Sequence, residues 1–539
     1  MGHAWRLSFL AAIALAGCGG YPDDGDSETA AQLDRARHRI RPAYSEAGAL
    51  DRASKLRQKD AKSDAPLDLI ASEKLIPINA GKAFEGITED AFGAAVVTSG
   101  NTVVVGAPDR DDLGLGNSGA VYIFVNDNGV WNLEQKLLAK DGGVNDNFGF
   151  SLALEGDRLL IGSRRGGGGG APQSGAVYVY ERSGKVWNRT AKLDPTNTGF
   201  EDYFGYAVAL YQDVALVGAP QADNAGVKSG AAFLYRFDGI SWALEKKFTP
   251  ESGTDSDFYG GAVALLPPTG AFSVTALVGS WDDNDSPGDY EGAVYAYVDP
   301  DPVSGQPWGL QAKLVASDQT AGDTFSFSLS AVGQRAFIGA PFRGDVCENA
   351  GAVYVFNRHS GIWCEEAIIT PYDKNAGQLF GYAVSAWDET VLIGSSYDDD
   401  GGDYSGSAYV YKRQDLGWEA QLKFVPDDTA PLQLVGFAVA LEGDRAVAGA
   451  IGDITNNVNA GSTYLFSATG AAAPVAPPVT ELVSGGNAQC SLHGGSSSTQ
   501  SSWFIGIAIA TLGIRRAGRA RPFRYRSPLP RASTNPPTK

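Results

Sequence analysis

Residues 204–210 read Phe204-Gly205-Tyr206-Ala207-Val208-Ala209-Leu210, and this short apolar run recurs along the chain. Variants begin at Phe92-Gly93, Phe148-Gly149, Tyr259-Gly260, Phe325-Ser326, Phe380-Gly381 and Val435-Gly436. The seven starts are separated by 56, 56, 55, 66, 55 and 55 residues, a fixed period that marks a repeat architecture. Each copy continues in the same order. A tight turn such as Glu155-Gly156-Asp157 leads to a second apolar run, which ends in Gly106-Ala107-Pro108, Gly218-Ala219-Pro220, Gly339-Ala340-Pro341 or a variant. An Asp/Asn/Gly-rich loop follows. A third strand then opens at Gly119, Gly175, Gly230, Gly292, Gly351, Gly406 or Gly461. Hairpin pairs such as Asn128-Gly129 and Asp238-Gly239 tolerate the positive φ of a tight turn. The fourth strand starts at Trp131, Trp187, Trp242, Trp308, Trp363 or Trp418.

Four short, glycine-punctuated strands per repeat predict an all-β, seven-bladed β-propeller of four-stranded blades over residues 67–470. The seventh tryptophan strand is missing. The apolar stretch Leu75-Ile76-Pro77-Ile78 is the candidate to complete the last blade and remove its open edge. Its proline suits an outermost strand.

The Phe-Gly and Gly-Ala-Pro pairs, seven times over, resemble the FG-GAP repeats of the integrin α-chain N-terminal propeller and its bacterial relatives. The resemblance implies a seven-bladed propeller used outside the cell for binding or adhesion. In that family some blades bind calcium through an Asp-x-Asp-x-Asp-Gly-x-x-x-Asp loop between the first two strands. Here those turns are short, as at Ser99-Gly100-Asn101 and Gln212-Asp213, and lack the six to eight oxygens that Ca²⁺ takes. The usual calcium loop is absent, and no other cofactor is expected.

Acidic loops before the third strand are a separate candidate for a hard cation such as Ca²⁺. They hold Asp109 and Asp111; Asp283, Asp285 and Asp289; and Asp398, Asp400 and Asp403. The bland alternative is a solvated acidic loop tip. The recurring Phe and Trp residues are expected to pack within and between blades. Trp281 and Trp387 fall outside that register, and Trp281, beside an acidic loop, is a candidate contact residue. His359 is expected in a solvated hairpin turn. Cys347 and Cys364 suggest a disulfide in an exported protein, although a hairpin centred near His359–Ser360 would place Cys364 opposite Val355.

The 539 residues carry 43 Lys+Arg against 62 Asp+Glu, a net charge of −19. Residues 67–470 alone hold 52 acidic and 25 basic side chains. So acidic a body argues against a nucleic-acid partner. Four histidines and no Gly-x-Ser-x-Gly elbow argue against nucleophilic catalysis, and the chain is expected not to be an enzyme.

Both ends read as addresses. Residues 1–18 pair Arg6 with an apolar Leu7–Ala16 run too short to span a bilayer, followed by Leu15-Ala16-Gly17-Cys18. This resembles the bacterial lipobox and implies lipidation of Cys18. Residues 19–66 read as a polar tether and 471–502 as a Pro/Ser/Gly-rich linker. Residues 503–539 join the short apolar run Trp503–Ile514 to Arg515, Arg516, Arg519 and Arg521. With Cys490 ahead of it, this tail is similar to the MYXO-CTERM type of bacterial sorting signal. The expectation is a monomeric, lipid-anchored propeller at a bacterial outer membrane or cell surface, binding an extracellular protein or glycan. The alternatives are an envelope enzyme acting on polysaccharide through the channel, and a purely structural envelope protein.

Overall fold

The computed structural model describes residues 72–78, 85–87 and 89–469, with internal gaps at 113, 168–172, 195–198, 225, 251–255, 269–273, 284–290, 300–307, 345–347 and 416, and also residues 480–481. Cys18, Cys347, Asp285, Asp289 and both address segments lie outside the described residues.

The repeats fold into seven antiparallel blades, the architecture predicted from their spacing. Blade 2 shows the pattern, with Phe148–Glu155, Arg158–Ser163, Ala176–Ser183 and Val186–Leu193 side by side in chain order. The Phe-Gly strands are innermost, lying against one another around the axis, and the tryptophan strands form the rim. Blade 7 comprises Val435–Glu442, Arg445–Ala450 and Ser462–Ser467, and the N-terminal strand Glu73–Leu75 completes it. Its register pairs Lys74 with Tyr464 and Leu75 with Thr463. The strand starts two residues earlier than predicted, so Pro77 falls beyond it and removes no ladder bond. Thr480–Glu481, in the stretch read as linker, pairs with Ile368–Ile369 on the outer edge of blade 5.

The sequence signature is a contact between blades. A Cβ on Gly106 would lie 2.1 Å from the carbonyl oxygen of Gly149 in the next blade. The same clash would arise between Gly162 and Gly205, Gly339 and Gly381, and, across the ring closure, Gly449 and Gly93. Gly149 has a φ of 91°, which L side chains rarely adopt. The third-strand glycine makes a second approach. Gly119 pairs in parallel with Phe148 of the next blade, and its added Cβ would meet the Phe148 oxygen at 2.1 Å. One repeat departs from the rule. Ser326 replaces the Phe-Gly glycine at a φ of 80°, and a Cβ on the facing Gly279 would meet its side chain at 3.0 Å.

The Phe-Gly aromatics wedge between blades as expected. Phe148 is fully buried among side chains of blades 1 and 2, edge-on to Tyr178 at 5.3 Å. Such pairs contribute about 1 kcal/mol beyond the area they bury. The rim tryptophans lean on the preceding blade. Trp187 joins the same cluster, Trp308 Nε1 donates to Glu245 at 2.7 Å, and Trp363 Nε1 donates to Gln311 at 2.9 Å.

Two glycine substitutions separate interlock from local turn strain. Gly119→Ala meets backbone, whereas Gly100, at a φ of 58°, has nothing within 4 Å of an added Cβ. Gly119→Ala is expected to cost about 3 kcal/mol or more, and Gly100→Ala about 1 kcal/mol. Thermal or denaturant melts measure both; equal losses would refute the interlock.

Candidate functional site

One polar stitch recurs on the loop face of the ring, at the Phe-Gly end of the inner strands. The third strand supplies an aromatic ring three residues after its opening glycine. The fourth strand sets a lysine opposite it, as in the pairs Tyr122↔Lys136, Tyr178↔Lys192 and Tyr409↔Lys423. The ammonium lies over the ring, at 4.9 Å for Lys423 over Tyr409 and 5.2 Å for Lys74 over Tyr464. In blades 1, 6 and 7 a carboxylate seven residues before the Phe-Gly position accepts from both groups, whereas in blade 2 Asp141 meets Lys192 at 3.4 Å and Tyr178 Oη has no hydrogen-bond partner among the described residues. Lys136 Nζ and Tyr122 Oη donate to Glu85 at 2.7 and 2.8 Å. In blade 7, Lys74 Nζ and Tyr464 Oη donate to Asp428 at 2.6 and 2.8 Å. Blade 5 has Ile368 in the lysine position, and Arg343 replaces the cation, 2.6 Å from Asp318.

Blade 6 is the most elaborate. Oxygens of Asp373, Asp398 and Asp400 lie within 4.8 Å of one another, a spacing suited to a metal ion. Lys423 Nζ sits among them, 2.6 Å from Asp373, 2.8 Å from Asp398 and 2.5 Å from Asp400. Asp398 is fully buried and also accepts from Ser407 Oγ, Tyr409 Oη and Gln378 Nε2. Burial alone would raise its pKa. The Lys423 charge and these hydrogen bonds outweigh that and hold the carboxyl below its ordinary value. Burial likewise opposes the Lys423 ammonium, and the three carboxylates raise its pKa.

Of the carboxylates predicted from sequence, Asp398 and Asp400 come together, with Asp373 as the partner that local reading missed. Asp403 is exposed and outside the cluster. Asp109 accepts from Asn147 Nδ2 at 2.9 Å, and Asp111 accepts from the Asn117 backbone N–H at 2.6 Å. These two carboxylates serve separate neighbours rather than a common centre. Asp283 accepts from Tyr295 Oη at 2.6 Å and pairs with Lys313 at 3.3 Å. Its neighbour Asp282 is 1% exposed, and neither carboxylate oxygen has a hydrogen-bond partner among the described residues. Burial, with the nearby Asp257, pushes the Asp282 carboxyl up to about 8.

An aromatic collar surrounds the axis on the same face. It is built from the second residue after each Phe-Gly phenylalanine. Phe150 and Tyr206 have ring centroids 5.0 Å apart, Phe327 and Tyr382 are 4.9 Å apart, and Tyr382 and Phe437 are 5.1 Å apart. Blade 4 has Gly261 at this position, and Trp281 fills the gap. Trp281 lies 5.6 Å from Tyr206 and 5.8 Å from Phe327, and a Cβ on Gly261 would meet its ring at 2.2 Å. Trp281, the candidate contact residue beside an acidic loop, is 7% exposed and belongs to the collar. Blade 1 has the smaller Ala94 there. Arg164, in the same register as Trp281, stacks on Phe150 with its guanidinium carbon 4.0 Å from the ring centroid.

The remaining expectations divide. His359 is exposed at the end of its strand, and Trp387 is 45% exposed. Cys364 is disulfide-bonded, while Cys347 lies outside the described residues. Cys364 faces Asn357, not Val355. The turn residues are Ser360 and Gly361, at φ 52° and 86°, which moves the hairpin centre by one residue.

Two substitutions test the charge assignments. Lys423→Met leaves three carboxylates facing one another and is expected to cost about 3–5 kcal/mol at neutral pH. In the native chain the depressed Asp398 pKa gives stability above the ordinary carboxylate range, and this is lost as pH falls through the folded value. The variant should instead regain stability between pH 7 and 5, and melts with the native pH profile would refute the stitch. Asp282 has the opposite sign. Its raised pKa gives stability at acid pH that is lost as pH rises through about 8. The native melting temperature should fall between pH 7 and 9 by an increment that Asp282→Asn abolishes; an unchanged increment would clear Asp282.

The chain matches no curated protein. It does match a family defined by the FG-GAP repeat, at residues 83–124, 131–180, 187–235, 308–356, 363–411 and 418–466. No matched segment covers the inner strand of blade 4, where Gly261 and Trp281 exchange places. The matches cover more than half of the sequence, and with the interlock they explain, the chain belongs to the FG-GAP repeat family.

Proposed function

We propose that this chain is a non-catalytic binding module, displayed at a bacterial cell surface on a lipid anchor at Cys18, that recognises an extracellular glycan or protein. The observation that carries the reading is the aromatic collar. A ring of half-buried aromatic side chains at the axis, beside polar loops, offers a ligand apolar contact together with polar groups that orient it. Membership of the FG-GAP family agrees with an integrin-like binding propeller. The non-catalytic reading draws support from the loop carboxylates, which serve as counter-ions and turn caps. Asp111, Asp223 and Asp399 each accept a backbone N–H five or six residues onward. Display at the surface rests on Leu15-Ala16-Gly17-Cys18 and the tail from Trp503.

Two measurements test the proposal. Cys18→Ser should abolish metabolic labelling by palmitate and move the protein from the membrane pellet to the soluble fraction. Retention in the pellet without label would remove the anchor. The full chain without its first 18 residues, applied to glycan and extracellular-protein arrays, should bind a restricted set without altering it. Turnover of a bound polysaccharide, or no binding on either array, would overturn the binding function.

A further inference from the structure

Arginines in this ring are matched to acids with few exceptions. Arg110 pairs with Asp90 at 2.7 Å, Arg182 with Glu134 at 2.9 Å, and Arg335 with Glu366 at 2.8 Å. Arg164 and Arg165 break that pattern, in a body that carries 52 acidic against 25 basic side chains. Arg164 is 8% exposed. Its one hydrogen bond among the described residues runs from Nε to Asn147 Oδ1 at 3.3 Å. That amide is itself held by Asp109 and by the Pro108 carbonyl. Arg165 donates from Nη2 to Tyr203 Oη at 3.3 Å, and its Nε is buried with no partner among the described residues. Burial and the like charge of Arg165 act against the Arg164 cation and outweigh the favourable contributions of Tyr206 and Asp109, so its pKa is held below the ordinary value. A guanidinium stays charged at any working pH, so a buried one with no direct ion pair among the described residues, its nearest help being Asp109 through the Asn147 amide, is costly to keep. Arg164 flanks the collar, stacked on Phe150 and 6.0 Å from the Tyr203 ring centroid, and Arg165 lies 5.5 Å from the same Tyr203 ring.

We infer that Arg164 and Arg165 form a carboxylate-recognition subsite at the channel mouth, which takes the terminal uronic-acid residue of an acidic glycan. The guanidinium fork suits a carboxylate. The aromatic side chains beside the pair, Tyr203 and Tyr206, suit the apolar face of a sugar ring. The acidic body limits the ligand to its end. Beyond a screening length of about 8 Å at physiological salt the positive charge of the pair fades, and a polyanion laid across the rim would meet carboxylates instead. The inference rests on the binding function proposed above and names its ligand class.

The test uses the full chain without its first 18 residues, with trigalacturonate, neutral galactotriose and a tri-glutamate peptide, read by calorimetry and by Trp281 fluorescence. Trigalacturonate should bind at least about tenfold more tightly than either other compound. Arg164→Gln should remove about tenfold or more of that affinity, and Arg164→Lys should retain only part, since it keeps the charge and loses the planar fork. Arg165→Gln, at a less buried position, supplies the same comparison if Arg164→Gln fails to fold. Equal binding of trigalacturonate and galactotriose, equal binding of tri-glutamate, or trigalacturonate affinity unchanged in both glutamine variants would overturn the subsite. Array ligands whose binding survives both glutamine variants would leave the binding function standing without it. Empty arrays would remove both.

Discussion

The ring depends on two backbones meeting where neither carries a side chain. At six of the seven joints the glycine near the end of the second strand lies against the Phe-Gly glycine of the next blade, and a Cβ added to it would sit 1.9–2.2 Å from the facing carbonyl oxygen. A sheet cannot be packed against another at that distance through side chains. The approach is repeated from Gly106 and Gly149 round to Gly449 and Gly93, so the closing contact is made in the same way as the others. The contact therefore joins the second-strand glycine of one blade to the Phe-Gly of the next. The matched segment 131–180 crosses a blade boundary in the same way, since it starts on the rim of blade 1 and ends in the third strand of blade 2.

Charge in the ring follows a rule of exchange. In blade 1 the third residue after the Gly-Ala pair is Arg110, and the residue two before Phe-Gly is Asp90. In blades 6 and 7 the same positions hold Asp398 with Gln378 and Asp453 with Gln433, joined by amide-to-carboxylate hydrogen bonds. A cation faces an acid, and an acid faces a neutral donor. The acid or amide two before Phe-Gly also serves the backbone. Asp90, Asp146 and Asp323, like Gln378 and Gln433, accept the N–H three residues earlier. This double duty explains why Asp90 is kept despite burial that pushes its carboxyl up to about 6. Blades 2 and 3 have no side-chain partner at the first position, where Gly166 and Ala222 accompany Asp146 and Asp202, and blade 4 sets Asp283 with Asp257, with the neutral-leaning Asp282 beside them.

The ring itself was legible because its determinants are local and repeated. A strand of fixed length, a glycine at a fixed place and a hairpin pair each leave a mark that seven copies make plain. The polar stitch was legible in principle. Lys136, Lys192, Lys247, Lys313 and Lys423 each follow a rim tryptophan by five residues, so they form a column in the aligned repeats. Reading each acidic loop alone hid that column, since Asp373 lies in the loop before the inner strand of blade 6 and Lys423 on that blade's rim strand. The exchange of Gly261 for Trp281 was not legible. Its logic is a volume filled from a neighbouring segment, and only packing shows which segment that is. The register of Cys364 turned on the φ of Ser360, a residue that sequence gives little reason to place in a left-handed turn.

The lysine at the centre of the Asp373, Asp398 and Asp400 cluster bears on where such a protein can work. A free counter-ion is held only as tightly as its bulk supply allows, and dilution or a competing chelator removes it. An ammonium tethered to the adjacent strand is present at an effective concentration fixed by covalent geometry, whatever the surroundings contain. This corner of the ring therefore keeps its shape as external mineral content rises and falls, and answers instead to acidity, the one ambient variable that can discharge its carboxylates.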